Sequence, residues 1–468
     1  MRWSAQLLSW LSLVFIARLL TPHDYGIVGL VSWFVLLLSY VADFGIGTTV
    51  MARRDLAPSI LAQLNTVAVA MGTASCILTI IAAPLLATVY NERALIGVMS
   101  LLSLTFLCTA FAVIPVAMLQ RSLRFRALAV LDFVRAVSTT ATVLILATMK
   151  FGYWALVFGS LAGALSYAAL AVVLSSHRFA WPTWGEVKLP LSHGSYFLSG
   201  GIAWAIYANC DFAIVGKVLG VSAAGYYSLA WTLATLPGEK ITNVVQSVLR
   251  PLFASLQHDA AASRSYFLTA NQLLAAVLTP MFVGLALVAS DVIPLVLGER
   301  WRPAVPIVQI LCFYAIGQNL AVMCSNVLFR KADVQRTAAQ SACLVLLLPP
   351  LFWFVSSRFG ILGIPFAWLV VQPLIMILPL HLARRVLGFG VRQYVDRLVP
   401  VVVASIVMAA AVYITGTLLG NAVLLLRLPV KVAVGIMFYI AAWQLLYPKQ
   451  MTSLLYLIRT RTLAGQHP

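Results

Sequence analysis

The sequence predicts an all-α integral membrane protein of about fourteen transmembrane helices: two pseudo-symmetric six-helix lobes followed by two further helices. Three observations predict it. Of the 468 residues, 62% are hydrophobic and only 9% charged, too apolar a mixture for a soluble core with a polar cover. The apolar residues come in long runs, without the alternation of barrel strands, and a hydrocarbon core of about 30 Å takes about 20 helical residues to cross. Segments of the first half also recur in the second, in the same order.

Charged residues and Gly/Pro breaks divide the runs. The first six spans are expected near Ser4–Leu20, Gly26–Ala42, Leu64–Val89, Leu95–Leu119, Ala127–Met149 and Tyr153–Leu174. Six more fall near Tyr196–Leu219, Ala223–Val248, Phe267–Ala289, Ala304–Val327, Ala338–Val355 and Gly360–Leu382, and the last two near Leu398–Leu419 and Leu428–Tyr447. This gives an N-lobe over residues 1–190, a C-lobe over 191–385, and a final pair with a short tail over 386–468. Ser4–Leu20 is read as a span and not a secretory signal, because it carries Arg18 and ends in Leu19-Leu20 without a small-residue cleavage site.

The formal charge of +18 would suggest nucleic acid in a soluble protein. Here most of it lies in short gaps between spans, and the gaps on the N-terminal side hold more than twice as many Lys and Arg as the opposite gaps. The positive-inside rule then places both termini in the cytoplasm. The longest outward gap, near Ser290 to Pro303, leaves no room for an extramembrane catalytic domain. Met51 to Ile60, mixing apolar and basic residues after Gly45 and Gly47, reads as an interfacial helix.

The duplication rests on three matches. Arg18, Leu20, Gly26 and Leu30 align with Lys217, Leu219, Gly225 and Leu229. "FGYWALVFGSL" from Phe151 aligns with "FGILGIPFAWL" from Phe359, and the basic gap from Met118 with that from Val327. Each unit holds an even number of spans, so the copies face the same way, related by an axis along the membrane normal. Two such lobes can rock against each other for alternating access.

An ionised side chain at a helix centre costs about 2.5–3.5 kcal/mol on insertion scales, so it normally meets a partner or a wet cavity. The candidates are Arg18, Lys217, Arg135 and Lys240 as a cationic cavity for an anionic substrate, with Asp132, Asp211 and Glu239 as ion-coupling or charge-pair groups. Asp132 and Arg135, one turn apart, can neutralise each other, and Arg18 and Lys217 can instead snorkel to headgroups. The six cysteines have no CxxC pairing and no histidine at ligand spacing, so they read as packing residues. No GxxxxGK[ST] motif is present, and neither a catalytic group, a cofactor nor a metal is expected.

These segments resemble a known family. "ARLLTPHDYG" from Ala17, "DFGIGTTVMARRDL" from Asp43, "PVAMLQRSLRFRAL" from Pro115, "CDFAIVGKVLGVSAAGYYSLA" from Cys210 and "PLVLGERW" from Pro294 are similar to segments of bacterial polysaccharide transporters. These are the Wzx-like flippases of the multidrug/oligosaccharidyl-lipid/polysaccharide superfamily. The resemblance implies a V-shaped pair of six-helix lobes. It also implies movement of an undecaprenyl-diphosphate-linked oligosaccharide from the cytoplasmic to the periplasmic leaflet of a bacterial inner membrane, for exopolysaccharide, capsule or O-antigen assembly. Its partners would be the lipid-linked substrate, the bilayer, and the polymerase and co-polymerase of the same pathway. Family members usually carry about ten more residues ahead of the first span, and such a segment is expected here. The competing readings are a lipid II or multidrug exporter of the same superfamily, and a membrane polymerase or glycosyltransferase, which the short outward loops disfavour.

Overall fold

The computed structural model describes residues 14–52, 56–175, 178–255, 259–325, 331–420 and 424–446. Every element among them is helical. A helical stretch over 14–19 is followed by α1 (Pro22–Asp43), α2 (Ile46–Ala52), α3 (Pro58–Tyr90), α4 (Ala94–Leu102), α5 (Leu104–Arg121), α6 (Phe125–Thr148) and α7 (Tyr153–Leu174). Then come α8 (Trp184–Leu219), α9 (Val221–Ser255), α10 (Ala260–Leu297), α11 (Val305–Ser325), α12 (Lys331–Phe359), α13 (Gly363–Leu387), α14 (Val391–Leu418) and α15 (Leu424–Leu446).

Among the described residues 11 stretches are long and apolar enough to cross a membrane, and one of them, Ala339–Leu387, takes in most of α12 and all of α13. The molecule is thus a multi-pass helical membrane protein. Most of the first expected span, and the end of the last, lie outside the described residues. Tyr153–Leu174 coincides with its expected span, whereas α8, α10, α12 and α14 start seven or more residues before theirs. Hydropathy marks only the part of a helix inside hydrocarbon; the hydrogen-bonded backbone continues into polar sequence beyond it.

The interfacial helix is displaced from its expected place. Phe44 and Gly45 have φ of 46° and 67°, which ends α1, and α2 follows at once over Ile46–Ala52. Leu56 and Ala57 are not helical, as suits the approach to Pro58, because a residue preceding proline is disfavoured in the α region. The outward gap near Ser290 is also shorter than expected, since α10 runs to Leu297 and a 3-10 turn over Glu299–Ala304 leads into α11.

Contacts group the chain into two compact units, one comprising Met1–Ser228 with Ala338–Ile361, the other Leu229–Thr337 with Leu362–Pro468. This grouping by contact is a different division from the repeat boundaries at 190 and 385, which remain a reading of the sequence. In the first unit α6 packs along α7, and α5 packs against both α3 and α7. The α6–α7 seam depends on Gly159 and Gly163, whose backbones lie against Val143 and Thr139; small residues four apart let membrane helices approach closely. In the second unit α14 pairs with α15, α10 with α11 and α14, and α11 with α13. There Trp231, Tyr314 and Trp368 pack with ring centroids 5.2–6.0 Å apart.

Candidate functional site

One end of the first unit is built from the opening motif. Thr21 caps α1, with the Asp24 amide donating to its hydroxyl at 3.2 Å and the Thr21 amide donating back to Asp24 Oδ2 at 2.8 Å. Pro22 occupies the first turn, where its missing N–H costs no helical bond. The other oxygen, Asp24 Oδ1, accepts from the Tyr153 amide at 2.9 Å, and Tyr153 follows Gly152, whose φ is +57°. Thus "TPHDYG" and "FGYW" meet in one hydrogen bond. His23 lies 3.2 Å from Glu92, in the turn between α3 and α4.

The charged candidates have distinct surroundings. Arg18 is exposed on a helical turn whose Ile16, Ala17 and Leu20 are buried, Ile16 and Leu20 in the cluster that holds Val143, Ala147 and Ala155. Lys217 donates from Nζ to the Val89 carbonyl at 2.8 Å, capping the C-terminal end of α3, where carbonyls lack intrahelical partners and a cation is favoured. Asp211 is fully buried and accepts a 2.6 Å hydrogen bond from the hydroxyl of Tyr227, itself fully buried. Glu239 and Lys240 are exposed on α9, in the second unit.

Arg135 is the candidate that faces a cavity. The hollow, of about 500 Å³, lies inside the first unit between α1, α5, α6 and α7. Among the described residues Arg135, itself exposed, is its one charged lining residue, and hydroxyls from Ser32, Ser39, Thr105, Thr109, Thr139, Ser160 and Tyr167 line it as well. The guanidinium carbon sits 5.6 Å from the centroid of the Tyr167 ring, a cation–π arrangement. Among the described residues no ion pair joins Arg135 to Asp132, which is exposed one turn earlier and does not line the hollow. A neutral intrahelical pair would have spent the charge; instead the guanidinium is turned to an aromatic face and to open space.

Sequence reasoning missed two features. The hydroxyl wall is one, since Ser and Thr occur on many spans and only packing selects those that share a hollow. A buried ion cluster in the second unit is the other. Lys431 Nζ lies 2.5 Å from Asp291 Oδ2, with both side chains under a tenth exposed, and Arg427 approaches the same carboxylate at 3.7 Å. Its signal was available: Lys431 lies inside the last apolar run. Among the described residues no group of three His, Cys, Asp or Glu could hold a metal. A second hollow of about 500 Å³, between α10, α11 and α14, is lined without a charge and is mostly apolar.

Comparison with known proteins gives a consistent family. In sequence the chain is 25% identical over 394 residues to the lipopolysaccharide biosynthesis protein WzxC of Escherichia coli K12, covering 81% of this chain and 78% of that protein. It is 26% identical over 435 residues to the teichuronic acid biosynthesis protein TuaB of Bacillus subtilis 168, covering 89% and 87%. Over 97% of its length it is 22% identical to the probable low-salt glycan biosynthesis flippase Agl15 of Haloferax volcanii, of which 95% is covered. In structure it is similar to the lipid II flippase MurJ in an inward closed conformation, with a TM-score of 0.78 at 13% identity over 96% of this chain and 99% of the other. A MATE transporter in complex with MaD5 matches with a TM-score of 0.53 at 12% identity, over 82% and 92%. These two likenesses concern the fold alone. The match to the family described as "Polysaccharide biosynthesis protein" runs over residues 15–306, more than half of the chain, and the chain belongs to that family.

Proposed function

We propose that this protein is a flippase: it moves a polyprenyl-diphosphate-linked oligosaccharide, with undecaprenol as the bacterial carrier, from the cytoplasmic to the outer leaflet for polysaccharide assembly. The observation that carries the reading is the Arg135 hollow. An exposed, permanently charged guanidinium beside a wall of hydroxyls on membrane-spanning helices suits a polar, hydroxyl-rich cargo. Relatives named for lipopolysaccharide, teichuronic acid and glycan biosynthesis support the same cargo class, and the chain spans most of the length of each.

In this reading the lobes over 1–190 and 191–385 alternate access in an inner membrane with both termini cytoplasmic, and 386–468 adds the final helix pair. Of the four cations, Arg135 contacts cargo. Lys217 holds the end of α3, while Arg18 and Lys240 stand at positions open to headgroups. Asp211, buried against Tyr227, is the candidate for the coupling group. The product is handed to the polymerase and co-polymerase of the pathway.

The test is leaflet location in cells. In a strain lacking the protein, unpolymerised lipid-linked glycan accumulates on the cytoplasmic leaflet and its export stops. Unpolymerised glycan that still reaches the outer face in that strain would place the protein at a later assembly step.

A further inference from the structure

We infer that the hollow around Arg135 is a sugar subsite, taking a glycan unit with at most one negative charge and not the diphosphate. The inference rests on the flippase reading and sharpens it. Charge is the first ground. Among the described residues Arg135 is the one charged residue lining the hollow, so the wall itself offers a single positive charge to a ligand, with Asp132 one turn away on the same helix. A diphosphate, multiply charged, would be matched by that one charge only in part.

The direction of the hydroxyls is the second ground. Ser32 donates to the Val28 carbonyl at 2.6 Å and Ser39 to Leu36 at 2.6 Å. Thr105 donates to Leu102 at 2.5 Å and Thr109 to Thr105 at 2.8 Å. A hydroxyl has one proton to donate, and in these four it is spent within the residue's own helix. What they present to the hollow is lone pairs. The outer oxygens of a diphosphate only accept, so against these four hydroxyls acceptor would face acceptor, and only Thr139, Ser160, Tyr167 and Arg135 would be left to donate. Sugar hydroxyls donate as well as accept, and they complement it.

Arg135 completes the match from the other side. Its guanidinium has donors only, and the Tyr167 ring under it fixes the plane of the fork. The fork can hold sugar oxygens or one carboxylate bidentately. A hollow of about 500 Å³ has the size of a small-molecule site, adequate for a mono- or disaccharide.

The test uses the full chain in nanodiscs, with Ser160→Cys as a reporter in the wall. Its alkylation by a maleimide is followed by site-resolved mass spectrometry, which separates it from native Cys108 and Cys343. The competitors are methyl glucoside, methyl glucuronide and inorganic pyrophosphate. Each glycoside is expected to slow labelling by about fivefold, the equivalent of one net hydrogen bond, while pyrophosphate leaves it unchanged. Adding Arg135→Gln should abolish any extra protection by the glucuronide. Protection by pyrophosphate in place of the glycosides overturns the inference, and so does protection by none of the three. Thr109→Cys gives the same readout if Ser160→Cys does not fold. A parallel flipping assay on wild type separates the two levels. Flipping with an unprotected reporter sinks the subsite alone, whereas a wild type that flips nothing sinks the flippase reading and the subsite with it.

Discussion

Gly26 and Gly225 meet backbone to backbone where the first turns of α1 and α9 cross. The space a Cβ on Gly225 would need is filled by the Pro22 carbonyl and the Gly26 amide, and the space beside Gly26 by the Val221 carbonyl. The two glycines are matched positions of the sequence repeat, and so are Pro22 and Val221. Each copy therefore presents to the other the contact it receives, which is what a local two-fold relation requires.

Substituting either glycine should force the two turns apart. Gly26→Val and Gly225→Val are each expected to destabilise the folded protein by about 1–3 kcal/mol, the usual cost of overpacking. Because both act on one crossing, the double variant should lose less than the sum. Thermal unfolding in detergent checks this, and additive losses would mean that the two sites do not share a contact.

Asp24 serves two helices at once. Asp24→Ala removes the reciprocal cap of α1 and leaves the Tyr153 amide without its acceptor, so it should cost about 1–3 kcal/mol. Asp24→Asn, which keeps an accepting oxygen, should recover part of the loss. Equal loss in both variants would assign the stability to charge and not to the hydrogen bonds.

The ion pair of Asp291 with Lys431 predicts a charge-neutralisation pattern of its own. Lys431→Met leaves a buried carboxylate whose nearest remaining cation, Arg427, is at 3.7 Å, and should cost about 3–5 kcal/mol. The double variant Lys431→Met with Asp291→Leu should regain most of that, because neither charge then needs a partner. The comparison is read as melting temperature at equal expression.

Much of the fold is legible in the sequence, because apolar length is what a bilayer demands and the fold must supply it. Tyr153–Leu174 was bounded correctly by Gly152 before it and polar residues after it. The end of α1 at Asp43 agrees with the expected span end at Ala42, but the short helix starts at Ile46 and not at Met51, because the left-handed turn at Phe44 and Gly45 lets a new helix begin at once. Of the site, Arg135 was visible as a charge within a span. Its separation from Asp132 was not, since spacing along a helix permits a pair without requiring one. The role of Lys217 was hidden for a different reason: its acceptor, Val89, is 128 residues away and on another helix.

Arg135 also separates function from stability. Since it faces open space and a ring and closes no ion pair with Asp132, Arg135→Ala should leave the melting temperature nearly unchanged. Lys217→Ala, which uncaps α3, should lower it by the equivalent of about 0.5–2 kcal/mol. If Arg135→Ala melts as low as Lys217→Ala, the guanidinium is a packing element and not a contact for cargo.

The most direct test of the central claim is a reconstituted flipping assay. Lipid-linked oligosaccharide is placed in proteoliposomes, and its appearance in the opposite leaflet is timed for wild type and Arg135→Ala at matched protein density. The account predicts protein-dependent crossing by wild type and a fall of roughly tenfold or more in the variant, the loss of one charge-assisted hydrogen bond. Crossing no faster than in protein-free vesicles, or equal rates for the two proteins, would contradict it.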